Sequence, residues 1–470
     1  MYGCEYFGGA VKKVVILGAG LTGLTIAREL TRVKGYSVVM LEKEAYAGGL
    51  AATLTKDGMS FDLGSHRIHP DTQADVLRYL RSDLGVELFK RPRKGALYLQ
   101  GKFLRYPVTI LDFIRAISVR KSLIYFLSYL VNLLRPQKGP TTSYKQAMCA
   151  AVGERIYADL YEDFAWKLWG IDPVKISAEG MHRRSLAFNW KAIRKAVLGM
   201  DRYFFYPSRG IGEISKRLEE EITRNHGEIL KESKVRCVRL DRDRKVSSVV
   251  YDDPQGKSVE IETSMVISTI PVDTLHECLM GSQEGAEPLK WRGLRVLYVH
   301  LKQFPSLEND TFYFPERRTR LGRASVIQKF SPELNSTLKG ALFTIEFPCS
   351  SGDPMWLKPD DELLQIALED LLVTGIYKDT PEVVRSFSIR LEKAYPLYDL
   401  GWEERFHRLF SQINAVQGLY SIGRSGLFLH CNIDHSILQG LELSSQILSA
   451  FSGGTWKDRS GQFRKFSARD

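Results

Sequence analysis

The 470-residue sequence lacks the signatures of several large enzyme classes. It has no HExxH pair, no GxxxxGK[ST] phosphate loop and no GxSxG elbow, which excludes zincin, P-loop and α/β-hydrolase chemistry. Six cysteines, Cys4, Cys149, Cys237, Cys278, Cys349 and Cys431, show no CxxC spacing and no neighbouring histidine pair. Reduced thiols and no metal site are therefore expected. For Cys431 a buried small hydrophobe is the expectation. There is no internal repeat, and 38 glycines and 18 prolines are too few for long disorder. The opening MYGCEYFGGAVKK lacks the basic start and apolar core of a secretory leader, so a cytoplasmic location is expected. Nor is there an apolar run of about 20 residues, the length that crosses a bilayer. SLIYFLSYLVNLL, at 122–134, reads as a buried helix, with a helix lying on a membrane surface as the alternative. Lysine and arginine outnumber acids by 66 to 55, but no basic tract is interleaved with aromatics. Nucleic acid is not expected as a partner, whereas diphosphates and anionic surfaces remain open.

What the chain does contain begins at KKVVILGAGLTGLTIARELTRVKGYSVVMLEKE. Val14 to Leu17 form a β-branched apolar run typical of a buried parallel strand. Gly18, Gly20 and Gly23 follow at GxGxxG spacing, with Leu21 and Thr22 between them, and Leu24, Ile26, Ala27 and Leu30 continue at helical spacing. Glycine is needed here for a tight turn, for close approach of backbone to a pyrophosphate, and for helix-on-strand packing. The helix N-terminus adds N–H donors and partial positive charge. Glu42 closes the second strand about 20 residues on, where a carboxylate can accept from ribose hydroxyls, with Lys43 beside it. Strand, loop, helix, strand and acid in that order predict a dinucleotide site. At 470 residues, two or three packed units are expected.

EKEAYAGGLAATL, with Gly48, Gly49 and Leu50, resembles the second glycine pair of flavoproteins of the amine oxidase and protoporphyrinogen oxidase superfamily. KVRCVRL, which includes Val235, is similar to that superfamily's adenine-side strand, and SMVISTIP to the strand that leaves its FAD domain. GLYSIGRSGLFLHCNIDHSILQGLELS resembles its C-terminal flavin segment, with Gly423 and Arg424 after a strand and Asp434, Ser436 and Ile437 at a helix start. The resemblance implies FAD, with that helix N-terminus facing the anionic edge of a reduced flavin.

Three further stretches resemble UDP-galactopyranose mutases. FAWKLWGIDPVKISAEGMHRR carries Lys167, Trp169, Gly170 and Pro173, with Arg183 and Arg184 after them. GSHRIHP, within FDLGSHRIHP, places Gly64, Ser65, His66, Arg67 and His69 in the mutases' glycine and histidine register. GRSGLFLHCNID and AYPLYD, the latter with Tyr395, are similar to mutase active-site segments. The resemblance implies that reduced flavin N5 attacks the anomeric carbon of a UDP-sugar, without net oxidation. Arg183 is the first choice for the diphosphate clamp, with Arg184 and Arg209 in reserve, because a guanidinium presents a planar fork to phosphate oxygens. Gly64, Ser65 and His66 would lie along the flavin, His69 would reach substrate or cap a turn, and Arg67 joins them as a catalytic candidate. Trp169 would wall the sugar, and Tyr395 and His430 would line the substrate site. One departure stands out: Phe428 and His430 occupy places where bacterial mutases carry tyrosines. The alternative is an oxidoreductase taking hydride from its substrate, and a third reading is a flavin-holding scaffold.

The expected class is α/β. A discontinuous Rossmann-like FAD-binding domain at 11–105, 201–272 and 418–452 would carry an inserted helical unit at 106–200. An antiparallel-sheet substrate domain would span 273–417, where RVLYVHLK and ALFTIEF alternate, and a loosely held basic tail would follow at 453–470.

Overall fold

The computed structural model describes residues 11–108, 119–134, 141–179, 203–281, 287–449 and 461–465. The first strand, β1 (Lys12–Leu17), leads through the glycine loop into α1 (Leu21–Thr31) and returns as β2 (Tyr36–Leu41). Val14 to Leu17 are fully buried, as a strand covered on both faces must be. Burial of such side chains contributes roughly 1.5–3 kcal/mol each. The parallel sheet has five strands, in the order Leu419–Ser421, Met265–Ser268, β1, β2, Glu228–Leu230. It thus recruits chain from three widely separated stretches.

Helix Ile433–Leu448 lies against α1. Gly440 permits the contact, because a Cβ there would sit 2.7 Å from Thr25 Cβ. Thr22 Oγ1 donates to the Ser436 carbonyl at 2.9 Å, so the N-terminal turns of the two helices meet.

A seven-stranded sheet stands apart, ordered Val383–Leu397, Lys290–Leu301, Ala341–Pro348, Arg323–Val326, Thr311–Tyr313, Gly95–Leu99, Lys102–Tyr106. The alternating runs RVLYVHLK and ALFTIEF are antiparallel neighbours in it, Arg295 opposite Phe347. The hairpin at 95–106, counted from the sequence with the dinucleotide core, instead extends this sheet through the parallel pair Thr311–Tyr313 and Gly95–Leu99. Likewise Lys234–Leu240, with Val235, belongs to a separate three-stranded antiparallel sheet.

The helical stretch contains Val119–Leu134, then Tyr144–Val152, whose first turn is closed by a capping box between Ser143 and Gln146. Gly153, at φ +89°, breaks what periodicity alone reads as continuous helix up to Trp169. The C-terminal stretch expected to hang loosely includes Gly461–Lys465, whose Phe463 is 2% exposed and packs into the core beneath the five-stranded sheet. An aromatic residue in a polar tail is the signal for such an anchor.

The KLWG stretch is a built turn. Helix Glu162–Trp169 ends at Gly170, φ +70°, and the Arg292 guanidinium covers it, Nε donating to the Leu168 carbonyl at 3.0 Å and Nη1 to Asp353 at 2.7 Å. A Cβ on Gly170 would stand 2.4 Å from Arg292 Nη1. Gly170→Ala is expected to cost roughly 1–3 kcal/mol and to lower the thermal midpoint; an unchanged midpoint would mean that Arg292 yields freely.

Candidate functional site

At the mouth of the five-stranded sheet the glycines act as the motif requires. A Cβ on Gly23 would be 2.3 Å from the Gly18 carbonyl oxygen, so α1 packs on the loop only with glycine there. Gly20 caps α1, and a Cβ on it would meet nothing within 4 Å. The loop backbone is therefore open on the side a diphosphate would approach, next to the N–H groups of Leu21, Thr22 and Gly23 that α1 leaves unpaired. Gly49, φ +55°, faces it, its Cβ direction 3.4 Å from Gly20 Cα, and Leu50 follows in the same short turn. Glu42 is buried at the end of β2; its carboxylate accepts from Ala19 N at 2.7 Å and Glu44 N at 3.0 Å. Burial pushes its pKa up while those two N–H groups pull the other way. Ser233 N donates to the Glu42 carbonyl at 2.7 Å, which brings the Val235 strand beside the acid. The Lys43 side chain instead points to solvent and pairs with Glu44. These features fit an adenine dinucleotide.

The second half of the site forms where the 64–66 loop meets the seven-stranded sheet. Gly64, φ +108°, turns the chain; Ser65 N donates to Glu346 Oε1 at 2.9 Å, and Ser65 Oγ to Ser325 Oγ at 2.6 Å. Glu346 also receives Arg323 Nη2 at 2.6 Å, the two residues being directly opposed in neighbouring strands. Burial disfavours the Arg323 cation, but Glu346, with Tyr313 and Tyr395 behind it, outweighs this, so its pKa is raised. His66 Nε2 lies 3.2 Å from the Leu63 carbonyl oxygen. A carbonyl only accepts, so Nε2 carries the proton and Nδ1 presents a lone pair. Burial, followed by the Arg323 charge, holds the imidazole down to about 4, and it is neutral at pH 7.

Arg424 completes the group. Its Nη1 donates to the Cys431 carbonyl at 2.6 Å and its Nη2 to the Ala394 carbonyl at 2.9 Å. The guanidinium lies 5.4 Å from the Tyr395 ring, which also meets the His430 ring at 5.2 Å, edge to face. Gly423 N donates to Gln439 Oε1 at 3.0 Å, fixing this turn on helix Ile433–Leu448. Asp434, Ser436 and Ile437 fall in the first turns of that helix, as expected, and its cap is Asn432.

Several candidates are corrected. Trp169 does not wall a site: it is 2% exposed and packs with Tyr144, Tyr157 and Tyr161 in the helical core. Lys167, in the same motif, donates to the Phe314 and Leu321 carbonyls, and burial pulls its pKa down to about 7. Arg67 is a structural cation, sandwiched between Phe204 and Phe330 at 4.6 and 4.7 Å and bonded to Asp310 at 2.9 Å. His69 caps its own turn, Nδ1 accepting from Asp71 N at 3.0 Å. Arg209 is exposed on the turn before helix Glu213–Arg224, where its backbone N–H donates to Glu213 Oε2 at 3.2 Å. Arg183 and Arg184 lie outside the described residues. Arg323 and Glu346 were missed by motif reasoning. The available signal was a lone acid in ALFTIEFP, a run buried from Ala341 to Phe347, since a buried carboxylate requires a partner. A separate cleft of about 460 Å³, lined by Arg91, Lys94, Glu308, Asp310 and Lys329 among others, contains none of these site residues.

Comparisons with known proteins agree with this geometry. The probable UDP-galactopyranose mutase of Klebsiella pneumoniae is 20% identical over 373 residues, 72% of this chain and 90% of that protein. The structure of a reduced UDP-galactopyranose mutase superposes with a TM-score of 0.78 at 21% identity, covering 97% of this chain and 98% of that one. A putative protoporphyrinogen oxidase from Exiguobacterium gives 0.71 at 18% identity, covering 94% of this chain and 100% of that one. These likenesses establish the fold. The family described as flavin containing amine oxidoreductase matches residues 21–448, nearly the whole described chain. The chain belongs to the flavin containing amine oxidoreductases, and its cofactor is FAD.

Proposed function

We propose that this flavoenzyme acts on a nucleotide sugar by UDP-galactopyranose mutase-type chemistry. The observation that carries the reading is electrostatic: Arg323 and Arg424 both act on a neutral His66 and Glu346 is bonded to Arg323, leaving positive charge in excess among the described residues. A diphosphate is attracted to such a site, whereas a protonated amine is repelled. In this chemistry the bound, reduced FAD supplies a nucleophilic nitrogen to the anomeric carbon. The chain's part is to hold the departing diphosphate, where charge builds, and to keep the ring region dry. Glu346 fixes Arg323 and the Ser65 backbone together, so the cation and the flavin-side loop share one anchor. His66, neutral at pH 7 with Nδ1 unprotonated, can accept a hydrogen bond there, while burial and the arginines disfavour its taking up a proton. Tyr395 and His430 form one wall beside Arg424. The alternative, hydride transfer from an apolar substrate, is favoured by the outward apolar face of helix Val119–Leu134.

Anaerobic titration with UDP-hexoses, following the flavin spectrum of oxidised and reduced protein, tests the proposal. Binding should tighten on reduction, and Arg323→Met and Arg424→Met should each weaken it roughly ten- to hundredfold, the worth of a charged hydrogen bond. No spectral response in either state, with bleaching of oxidised flavin by an apolar substrate, would overturn it in favour of the oxidoreductase.

A second expectation concerns pH. The His66 pKa of about 4 in the folded protein lies below its ordinary 6.5, so the folded state favours the neutral ring. Its contribution to stability is fully present above pH 6.5 and is lost as the pH falls towards 4. The His66 ring signal in NMR should titrate near 4 in the wild type, and higher in Arg323→Met, where a repelling charge is gone. A wild-type midpoint near 6.5 would refute the enclosed, cation-flanked setting.

A further inference from the structure

Helix Val119–Leu134 is turned inside out. Its polar side chains face the protein: Tyr125 Oη donates to Asp159 Oδ2 at 3.0 Å, and Asn132 Nδ2 to the Ala150 carbonyl at 2.7 Å. Ser128 backs on Gly153, where a Cβ would lie 3.2 Å from its Oγ. The opposite face carries Leu123, Leu127, Leu130 and Leu134, spaced i, i+4, i+7 and i+11, with exposures of 57, 52, 38 and 84%. A surface helix in water shows the reverse pattern, and an apolar patch of this extent marks a contact with something apolar.

We infer that this face docks on an anionic phospholipid leaflet. No described helix is long and apolar enough to cross a membrane. Sixteen residues span about 24 Å, so this helix would lie in the interface plane. Charge selects the occupant. Between Asp112 and Glu154 the sequence has six basic residues, Arg115, Arg120, Lys121, Arg135, Lys138 and Lys145, and no aspartate or glutamate; Lys145 pairs with Glu162 at 3.3 Å, which leaves five. Arg120 and Lys121 are exposed at the helix start. Anionic headgroups complement that run, whereas a second copy of the chain would set like charges against each other across a two-fold interface. Docking of this kind suits an apolar substrate but does not by itself decide which substrate the flavin site takes, and its test does not depend on that choice.

The test is co-sedimentation of the FAD-loaded full chain with vesicles of phosphatidylcholine alone and of equimolar phosphatidylcholine and phosphatidylglycerol, at low and high salt. Light scattering without lipid reports the oligomeric state. Leu127→Glu/Leu130→Glu changes two exposed positions, and an unaltered flavin spectrum and thermal midpoint would show that the fold is intact. The wild type should pellet with the anionic vesicles, and about tenfold less with phosphatidylcholine, at high salt, or as the double variant. Absence of binding, equal binding to both vesicles, or binding indifferent to the double variant would overturn the inference. A dimer that the double variant splits, with no lipid binding, would assign the face to a second copy instead and equally overturn it.

Discussion

The loop bearing Gly64, Ser65 and His66 stands on a single buried carboxylate. Asp62, 1% exposed, accepts from Thr53 Oγ1 and Tyr206 Oη at 2.5 Å and from Ile211 N at 3.2 Å, while its own carbonyl takes Tyr298 Oη at 2.7 Å. Those donors belong to the hairpin after the second glycine pair, the strand Tyr203–Pro207, the turn before helix Glu213–Arg224, and the seven-stranded sheet. Burial pushes the Asp62 carboxyl up to about 6, and the three side-chain and backbone donors act against that. Removing the carboxylate would orphan several buried donors at once, each costing about 1–3 kcal/mol. The register between the flavin-side loop and the sheet that supplies Arg323 and Glu346 is therefore held by Asp62 together with the bonds of Ser65 to Glu346 and Ser325.

A buried guanidinium is not by itself a mark of function in this fold. Arg295, fully buried, is spent on the Met355, Trp356 and Lys358 carbonyls and on Asp360, and Arg292 is spent on the KLWG turn and Asp353. Arg67 is enclosed by two aromatic faces. These cations tie loops to strands. Arg323 and Arg424 differ in their company: both raise the cost of protonating His66, and both stand near Tyr395, at the edge where the flavin-side loop and helix Ile433–Leu448 meet. Their company around His66 and Tyr395, rather than burial, sets Arg323 and Arg424 apart from these ties.

The dinucleotide end was legible because its determinants are local. Gly18 to Glu42 is one loop, helix and strand, and the contacts that carry its motif, Glu42 with Ala19 and Glu44 and Gly23 with Gly18, are made within about 25 residues. The antiparallel sheet was legible in outline from alternation, but alternation does not say which distant hairpin will close its edge, hence the misplacement of 95–106. Arg323 and Glu346 were invisible to motif reasoning for the same reason: they meet across strands and find Ser65 some 280 residues away. Trp169 was misread because Lys-x-Trp-Gly serves the turn itself, its glycine under Arg292 and its tryptophan in the helical core. A helix with its apolar face outward cannot be told by periodicity from one with that face inward; only the partners of Tyr125 and Asn132 decide it.

The replacement of tyrosine by phenylalanine at 428, which the sequence resemblance leaves as a discord, has a local account. Phe428 is fully buried among Trp291, Tyr398 and Trp402 and sits at φ +50°. Tyr398 Oη donates to the Phe428 carbonyl at 3.2 Å and accepts from His430 N at 2.9 Å. Tyr398 thus serves the 428 carbonyl and the His430 N–H, while the buried Trp402 Nε1 in the same cluster makes no hydrogen bond, and the phenyl ring at 428 adds no polar atom to it. The turn from 428 to 430 is thus braced by Tyr398, and it presents the His430 ring to Tyr395, whose ring also meets the Arg424 guanidinium. Phenylalanine here belongs to the support of the site, and whatever hydrogen bonding a substrate finds on this side must come from the neighbours that support holds in place.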